Sequence, residues 1–238
     1  IDEWDFDGLK LDGQHMNAIA PDHNPNAQLT TPDQGPEKLP QLFKAIYDEA
    51  RTIKSNAVIE NCPCGTCMSY FNMPYMNQAV SSDPLSSWQI RLKGKAYKAL
   101  VPNTAYYGDH VELSDNGSDF ASSFGIGAVL GTKFTWPKDN PSASASYLLT
   151  PEKETLWKRW FELYNQKMIS KEKYLGNLYD IGYDKPEAHA IQKGHTLHYA
   201  FYVENWDDLI SFKGLKPGDY IVNDYFNDQI LGEINGSK

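Results

Sequence analysis

The sequence has no long apolar run: none approaches the ~18 residues that cross a bilayer, and no charged-then-apolar leader opens it. A membrane is therefore not expected as a partner. The first residue is Ile1 and a strand follows within a few positions, as in an excised or processed piece. Compartment stays open, with a periplasmic or secreted setting favoured over a cytoplasmic one. Basic charge is also short, with 22 Lys and Arg against 31 Asp and Glu for a net charge of −9, and no basic block offers a phosphate backbone a place to settle. Nucleic acid is not expected as a partner. The three cysteines, Cys62, Cys64 and Cys67, sit together in CPCGTC, an odd and clustered set that does not make a secreted disulfide framework. Dinucleotide and phosphate glycine loops are lacking, as are tandem repeats and low-complexity tracts. What is plentiful is aromatic side chain, 13% of residues with 15 Tyr and 6 Trp, which fills cores and also stacks on the C–H faces of sugar rings.

The length suits one large domain or a medium domain plus a small one. Near the start, FDGLKLDG alternates Leu9 and Leu11 with Lys10 and Asp12, so an extended strand carries a lysine and a carboxylate together on one face. Leu42, Phe43, Ile46, Ala50 and Ile53 recur at helical spacing and predict a helix over 39–54. Further strands are expected over 56–61, 76–82, 104–109 and 130–136, with helices over 86–100 and about 120–128 between them. A last helix over 150–168 has Thr150 at its cap and Pro151 in its first turn, and must bury Leu156, Trp160, Phe161, Tyr164 and Met168. From Tyr174 the pattern changes to short extended runs, 195–203, 208–212 and 218–226, separated by turns at Lys193-Gly194 and Lys216-Pro217-Gly218. The expected fold class is α/β plus all-β. Residues 1–170 form part of a (β/α)8 barrel, and residues 171–238 form a small antiparallel β-sandwich.

In a barrel of that kind the chemistry lies just beyond the C-terminal ends of the strands. There the sequence places Asp12, then Glu60-Asn61-Cys62, then Ser82-Asp83, then Gly108-Asp109-His110, then Thr135-Trp136. Asp12 and Asp83 would thus converge on one rim. Two carboxylates flanking a glycosidic bond are what retaining hydrolysis needs, one to attack the anomeric carbon and one to protonate the departing oxygen. Lys10 would keep Asp12 ionised and donate to sugar hydroxyls.

These segments resemble a known family. FDGLKLDG is similar to the Lys-x-Asp strand of the retaining α-galactosidases of glycoside hydrolase clan D, the melibiase group of families 27 and 36. IENCPCG, AVSSDP and YYGDHV resemble, in the right order, the family's segments at three following strand ends. The resemblance implies Asp12 as nucleophile, Asp83 as general acid/base and Lys10 as a donor to the outer hydroxyls. It also implies Cys62 and Gly65 near the hydroxyl at carbon 2, and it aligns Arg91, eight residues after Asp83, with an arginine that the family carries seven after its acid/base. It further implies that the chain starts at the fourth strand of the barrel, that its sandwich is truncated, and that the missing strands come from the rest of the polypeptide or from self-association. The isolated chain is then expected to be inactive. The implied substrate is a terminal α-galactoside of an oligosaccharide or polysaccharide, cleaved by double displacement without metal or organic cofactor. The alternative is a non-catalytic carbohydrate-binding or degenerate barrel.

Other features have plainer readings. CPCGTC offers three thiolates to a zinc ion without an obvious fourth ligand, and buried free thiols or one local disulfide are expected there instead. His110 is a rim candidate for contact with substrate, while His189, His195 and His198 read as structural. Asp109, Glu112, Asp115 and Asp119 read as a solvated acidic loop, their spacing departing from a calcium-binding EF-hand. Trp88, Trp157 and Trp160 read as core, and Trp136, at a strand end, as the residue for stacking on a sugar.

Overall fold

The computed structural model describes residues 1–13, 20–64, 68–109, 119–131 and 150–236. Strands β1 (Gly8–Leu11), β2 (Val58–Asn61), β3 (Gln78–Val80) and β4 (Ala105–Tyr107) form a parallel sheet in the order β1-β2-β3-β4. Parallel neighbours need crossover connections, and the helices supply them: α1 (Gln34–Glu37) and α2 (Leu39–Ile53) before β2, and α3 (Ser87–Leu100) before β4. Helix α3 starts where Ser86 accepts a hydrogen bond from the Gln89 amide at 3.3 Å while the Gln89 side chain reaches back to the Leu85 amide at 2.8 Å, an exchange close to a capping box. Gly94 lets α3 close on β4, since a Cβ there would lie 2.6 Å from the Tyr106 ring.

The register fixes which side chains meet. Lys10, Glu60 and Gln78 fall in one row across three strands, and Leu11, Asn61, Ala79 and Tyr106 in the next. The expected charged face of the first strand is therefore one end of a polar row. Beyond β4, Val129 makes a single parallel bridge with Tyr107, and its amide donates to the Tyr106 carbonyl at 2.6 Å. The rest of the strand expected over 130–136 lies mostly outside the described residues. Four parallel strands and one bridge are thus what the described part of the sheet holds.

Helices α4 (Asp119–Gly125) and α5 (Pro151–Lys167) follow, α5 capped by the Thr150 hydroxyl as expected. Trp157, Trp160 and Leu163 of α5 are buried with Phe120, Phe124, Leu130, Ile169 and Ile191. Trp88 departs from expectation. It is 46% exposed, because α3 turns Ile90, Arg91 and Gly94 inward and leaves Trp88 on its outer side.

Beyond α5 the chain forms two antiparallel sheets. Strands β5 (Lys173–Tyr174), β6 (Glu187–Lys193) and β7 (Thr196–Tyr202) make one, in that order, with Gly194 at φ +57° in the β6–β7 turn. Strands β8 (Gly218–Asp224) and β9 (Gln229–Gly236) make the other, with a register shift between Val222 and Asn223. The strand expected over 208–212 does not form. Side chains hold that segment in place of a ladder: Tyr179 donates its hydroxyl proton to the Ser211 carbonyl, Tyr199 donates to the Lys213 carbonyl, and the Phe212 ring packs edge-on against Tyr199 and Phe201.

A polar chain ties the parallel half to the antiparallel half. Arg91 on α3 donates to both carboxylate oxygens of Glu187 on β6, at 2.6 and 2.9 Å, and to the Ser122 hydroxyl on α4 at 2.9 Å. The Tyr202 ring lies 4.1 Å from the guanidinium carbon, a cation–π contact. Glu187 also meets His189 Nε2 at 2.9 Å, while His189 Nδ1 meets the Tyr174 hydroxyl at 2.8 Å. Because an ionised carboxylate only accepts, Nε2 carries the proton and Nδ1 accepts from Tyr174. Burial alone would raise the Glu187 pKa, but His189 and Arg91 outweigh it and bring it to about 2. Burial holds His189 below its ordinary 6.5.

Both shifts run toward acid lability. A depressed carboxylate contributes stability that is present above its unfolded value near 4.5 and lost as pH falls toward about 2. A depressed histidine is neutral when folded, so stability falls as pH drops below its unfolded 6.5 and the unfolded chain takes up the proton first. The urea midpoint is therefore expected to decline below pH 6.5 and again below pH 4.5, with His189→Gln reducing the first decline, to which His198, also held below 6.5 by burial, contributes as well. A midpoint constant from pH 7 to pH 3 would contradict this network.

Candidate active site

The four parallel strands end on the same side, and each contributes polar groups there. Asp12 is exposed immediately after β1, its Oδ1 accepting the Gly13 amide at 2.9 Å. After β2 the ladder continues one residue, the Cys62 amide donating to the Leu11 carbonyl at 2.8 Å, so Cys62 is buried beside the end of β1. Cys64 then adopts φ +50° and its thiol donates to Asp12 Oδ1 at 2.9 Å.

After β3 the backbone turns through two left-handed residues, Ser82 at φ +58° and Asp83 at φ +44°. Such conformations are uncommon for non-glycine residues and persist where surroundings over-determine them. Here the surroundings are visible. Lys93, one turn and a half into α3, donates to the carbonyls of Ser81 and Ser82 at 2.7 and 3.0 Å, and the Ser81 hydroxyl donates to the Gly108 carbonyl at 2.6 Å. Asp109, after β4 and also left-handed at φ +64°, accepts the Asp83 amide on Oδ2 at 2.8 Å. Its Oδ1 stands 3.9 Å from Lys10 Nζ.

Lys10 thus lies between Asp109 and Glu60, the latter at 3.6 Å. Burial by itself would lower the Lys10 pKa, but Asp109, Cys62, Glu60 and Asp12 together raise it, so the ammonium is firmly charged. The Cys64 thiol, followed by Cys62, Gly13 and Lys10, holds Asp12 below the usual carboxylate range against a smaller opposing effect of burial. Burial pushes Glu60 upward despite the Gln78 amide donating at 2.6 Å and the nearby Lys10. Burial pushes the Cys62 thiol up to about 11, and the hydrogen bond to Asp12 raises Cys64. The charge of Asp83 acts on Cys64 in the same direction, so this thiol feels both carboxylates of the rim. An ionised carboxylate, a second carboxylate and a fixed cation are thereby assembled at one end of the sheet, a set able to perform nucleophilic attack and proton transfer.

Of the residues singled out in the sequence, the structure brings together Asp12, Lys10, Cys62 and Asp83. Arg91 is turned elsewhere, its guanidinium committed to Glu187 and Ser122. Gly65, His110 and Trp136 lie outside the described residues, as do Cys67, Glu112 and Asp115. Asp109, read as one member of a solvated loop, is in fact 2% exposed and links Lys10 to the Asp83 backbone. The signal for it was its place just beyond a strand end, in the segment Gly108-Asp109-His110. An apolar cavity of about 670 Å³ lies between β7 and β8, lined by Tyr199, Phe201, Phe212 and Tyr220 among others and by none of the rim residues.

One curated relative matches the chain along most of its length. The chain is 29% identical over 241 aligned positions to an A type blood α-D-galactosamine galactosaminidase of Flavonifractor plautii. The match covers 97% of this chain and 20% of the relative. The chain thus spans about a fifth of the relative's length. No family model matches it.

Proposed function

We propose that this chain carries the two catalytic carboxylates of a retaining exo-α-glycosidase. The observation that carries the reading is the shared rim: Asp12 after β1 and Asp83 after β3, linked through Lys10, Asp109 and Cys64. In the first step Asp12 attacks the anomeric carbon and Asp83 gives its proton to the departing oxygen, leaving a glycosyl ester on Asp12. In the second, Asp83 takes a proton from water, which attacks the same carbon and restores the α configuration. A nucleophile must be ionised, and the Cys64 thiol and Lys10 both favour that form of Asp12.

Lys10, with one side open to solvent, is placed to donate to sugar hydroxyls. The sugar is a terminal α-galactosyl unit, including the 2-amino form named for the relative. An ammonium at carbon 2 would suit a rim in which Asp12, Glu60, Asp83 and Asp109 surround a single lysine. Further sugar contacts would come from the rest of the polypeptide or from self-association, a reading supported by the match covering only 20% of the relative.

The test is hydrolysis by the full-length polypeptide of 4-nitrophenyl α-galactoside and its 2-amino-2-deoxy analogue, followed by proton NMR. The α anomer of the released sugar is expected to appear first. A β product, or no cleavage of either glycoside, would contradict the reading.

A further inference from the structure

The expectation of no metal rested on a cysteine run lacking a fourth ligand, but the fold brings a donor from another strand. The carboxylate of Asp12 and the sulfurs of Cys62 and Cys64 lie within 4.8 Å of one another. We propose that these three side chains form a binding site for a soft divalent cation, Zn2+ or Cd2+, at the end of the parallel sheet.

Geometry favours the site. With metal–sulfur distances of about 2.3 Å and metal–oxygen distances of about 2.0–2.2 Å, tetrahedral ligand atoms lie roughly 3.5–3.8 Å apart. The Cys64 sulfur is already 2.9 Å from Asp12 Oδ1, so the two need only open slightly to admit an ion, and Cys62 needs at most a small rotation. The backbone is held for this. The Cys62 amide is bonded to the Leu11 carbonyl, one residue before Asp12, and the left-handed Cys64 directs its sulfur back across the strand end. Cys62 forms the buried floor and Asp12 the exposed wall.

Chemistry selects the ion. Two sulfurs and one oxygen are a borderline-soft set, which suits zinc and cadmium and is wrong for magnesium or calcium, whose shells are built from oxygen. On binding, both thiol protons pass to solvent, two metal–sulfur bonds and one metal–oxygen bond form, and the ion sheds waters of its hydration shell as its coordination falls to tetrahedral. No electrons are transferred. Asp12 exchanges the Cys64 S–H for the metal, so occupancy withdraws this carboxylate from any other role. On the glycosidase reading, which this last consequence alone rests on, the bound ion blocks turnover and a chelator restores it.

The test is titration of the full chain with Cd2+ in a phosphine reductant, read by the ultraviolet sulfur-to-cadmium charge-transfer band and by calorimetry, with far-ultraviolet circular dichroism confirming the fold of each variant. One equivalent with two thiolates is expected. Cys64→Ser should halve the band, and Asp12→Asn should keep the band; each should weaken affinity at least ~10-fold. Absence of the band in the folded chain, or unaltered affinity in Asp12→Asn, would each overturn the site. Because this readout does not use glycoside cleavage, its failure is separate from failure of the proposed function.

Discussion

Asp12→Ala in the full-length polypeptide is expected to lower turnover of an activated aryl α-galactoside at least ~10³-fold, because the carboxylate that forms the glycosyl ester is removed. Asp83→Ala should fail differently. An aryl leaving group needs little protonation, so the first step survives while the second, which needs a base, slows by ~10²–10⁴-fold and the glycosyl-enzyme accumulates. Added azide, a nucleophile that needs no base, should then restore release of the sugar as a glycosyl azide. Asp12→Ala should accumulate nothing covalent. Comparing burst amplitude and azide response in the two variants checks the division of labour. An Asp12→Ala enzyme as active as its parent would remove the double-displacement reading.

Arg91→Ala is expected to destabilise the chain by about 3–5 kcal/mol, the range seen when one partner of a buried ion pair is removed. The mechanism is specific. Glu187, with a side chain only 13% exposed, would keep its charge without the two guanidinium hydrogen bonds that hold it there, and the Tyr202 ring would lose its cation. At roughly 2–4 °C per kcal/mol for a chain of this size, the melting temperature should fall by roughly 6–20 °C. Arg91→Lys should recover only part, since a point charge cannot make the bidentate contact. A melting temperature unchanged in Arg91→Ala would show that the two halves do not depend on this pair.

That pair also shows where reading the sequence reached its limit. The alignment of Arg91 with a substrate-contacting arginine was a matter of spacing along one helix. Glu187, which claims the guanidinium, is 96 residues further on in a different sheet. Long-range partners of that kind leave no periodic trace. The parallel strands were legible because short apolar runs are separated by stretches of helical spacing, as where Leu42, Phe43, Ile46, Ala50 and Ile53 precede β2. The expected strand over 208–212 failed because a short apolar run between turn signals does not tell a ladder from a loop, and this segment's backbone is held by tyrosine hydroxyls. Trp88 failed because helical spacing tells which residues share a face and not which face is covered.

The rim was legible in part for a physical reason: polar residues directly after an apolar strand mark its C-terminal end whatever the tertiary fold, which located Asp12, Cys62 and Asp83. Their mutual placement was not legible. It depends on the left-handed turns at Cys64, Ser82, Asp83 and Asp109, none of them glycine. Propensity argues against these conformations, and Lys93, which binds the Ser81 and Ser82 carbonyls, and Asp109, which binds the Asp83 amide, help to hold two of them.

Covalent trapping tests the central claim most directly. The full-length polypeptide is incubated with an activated fluorinated α-galactosyl fluoride, whose fluorine slows hydrolysis of the ester more than its formation, then digested and analysed by mass spectrometry. The account predicts one added fluorosugar on the peptide carrying Asp12, absent in Asp12→Ala and accumulating further in Asp83→Ala. A label on any other residue, or rapid turnover of the reagent with no label at all, would contradict it.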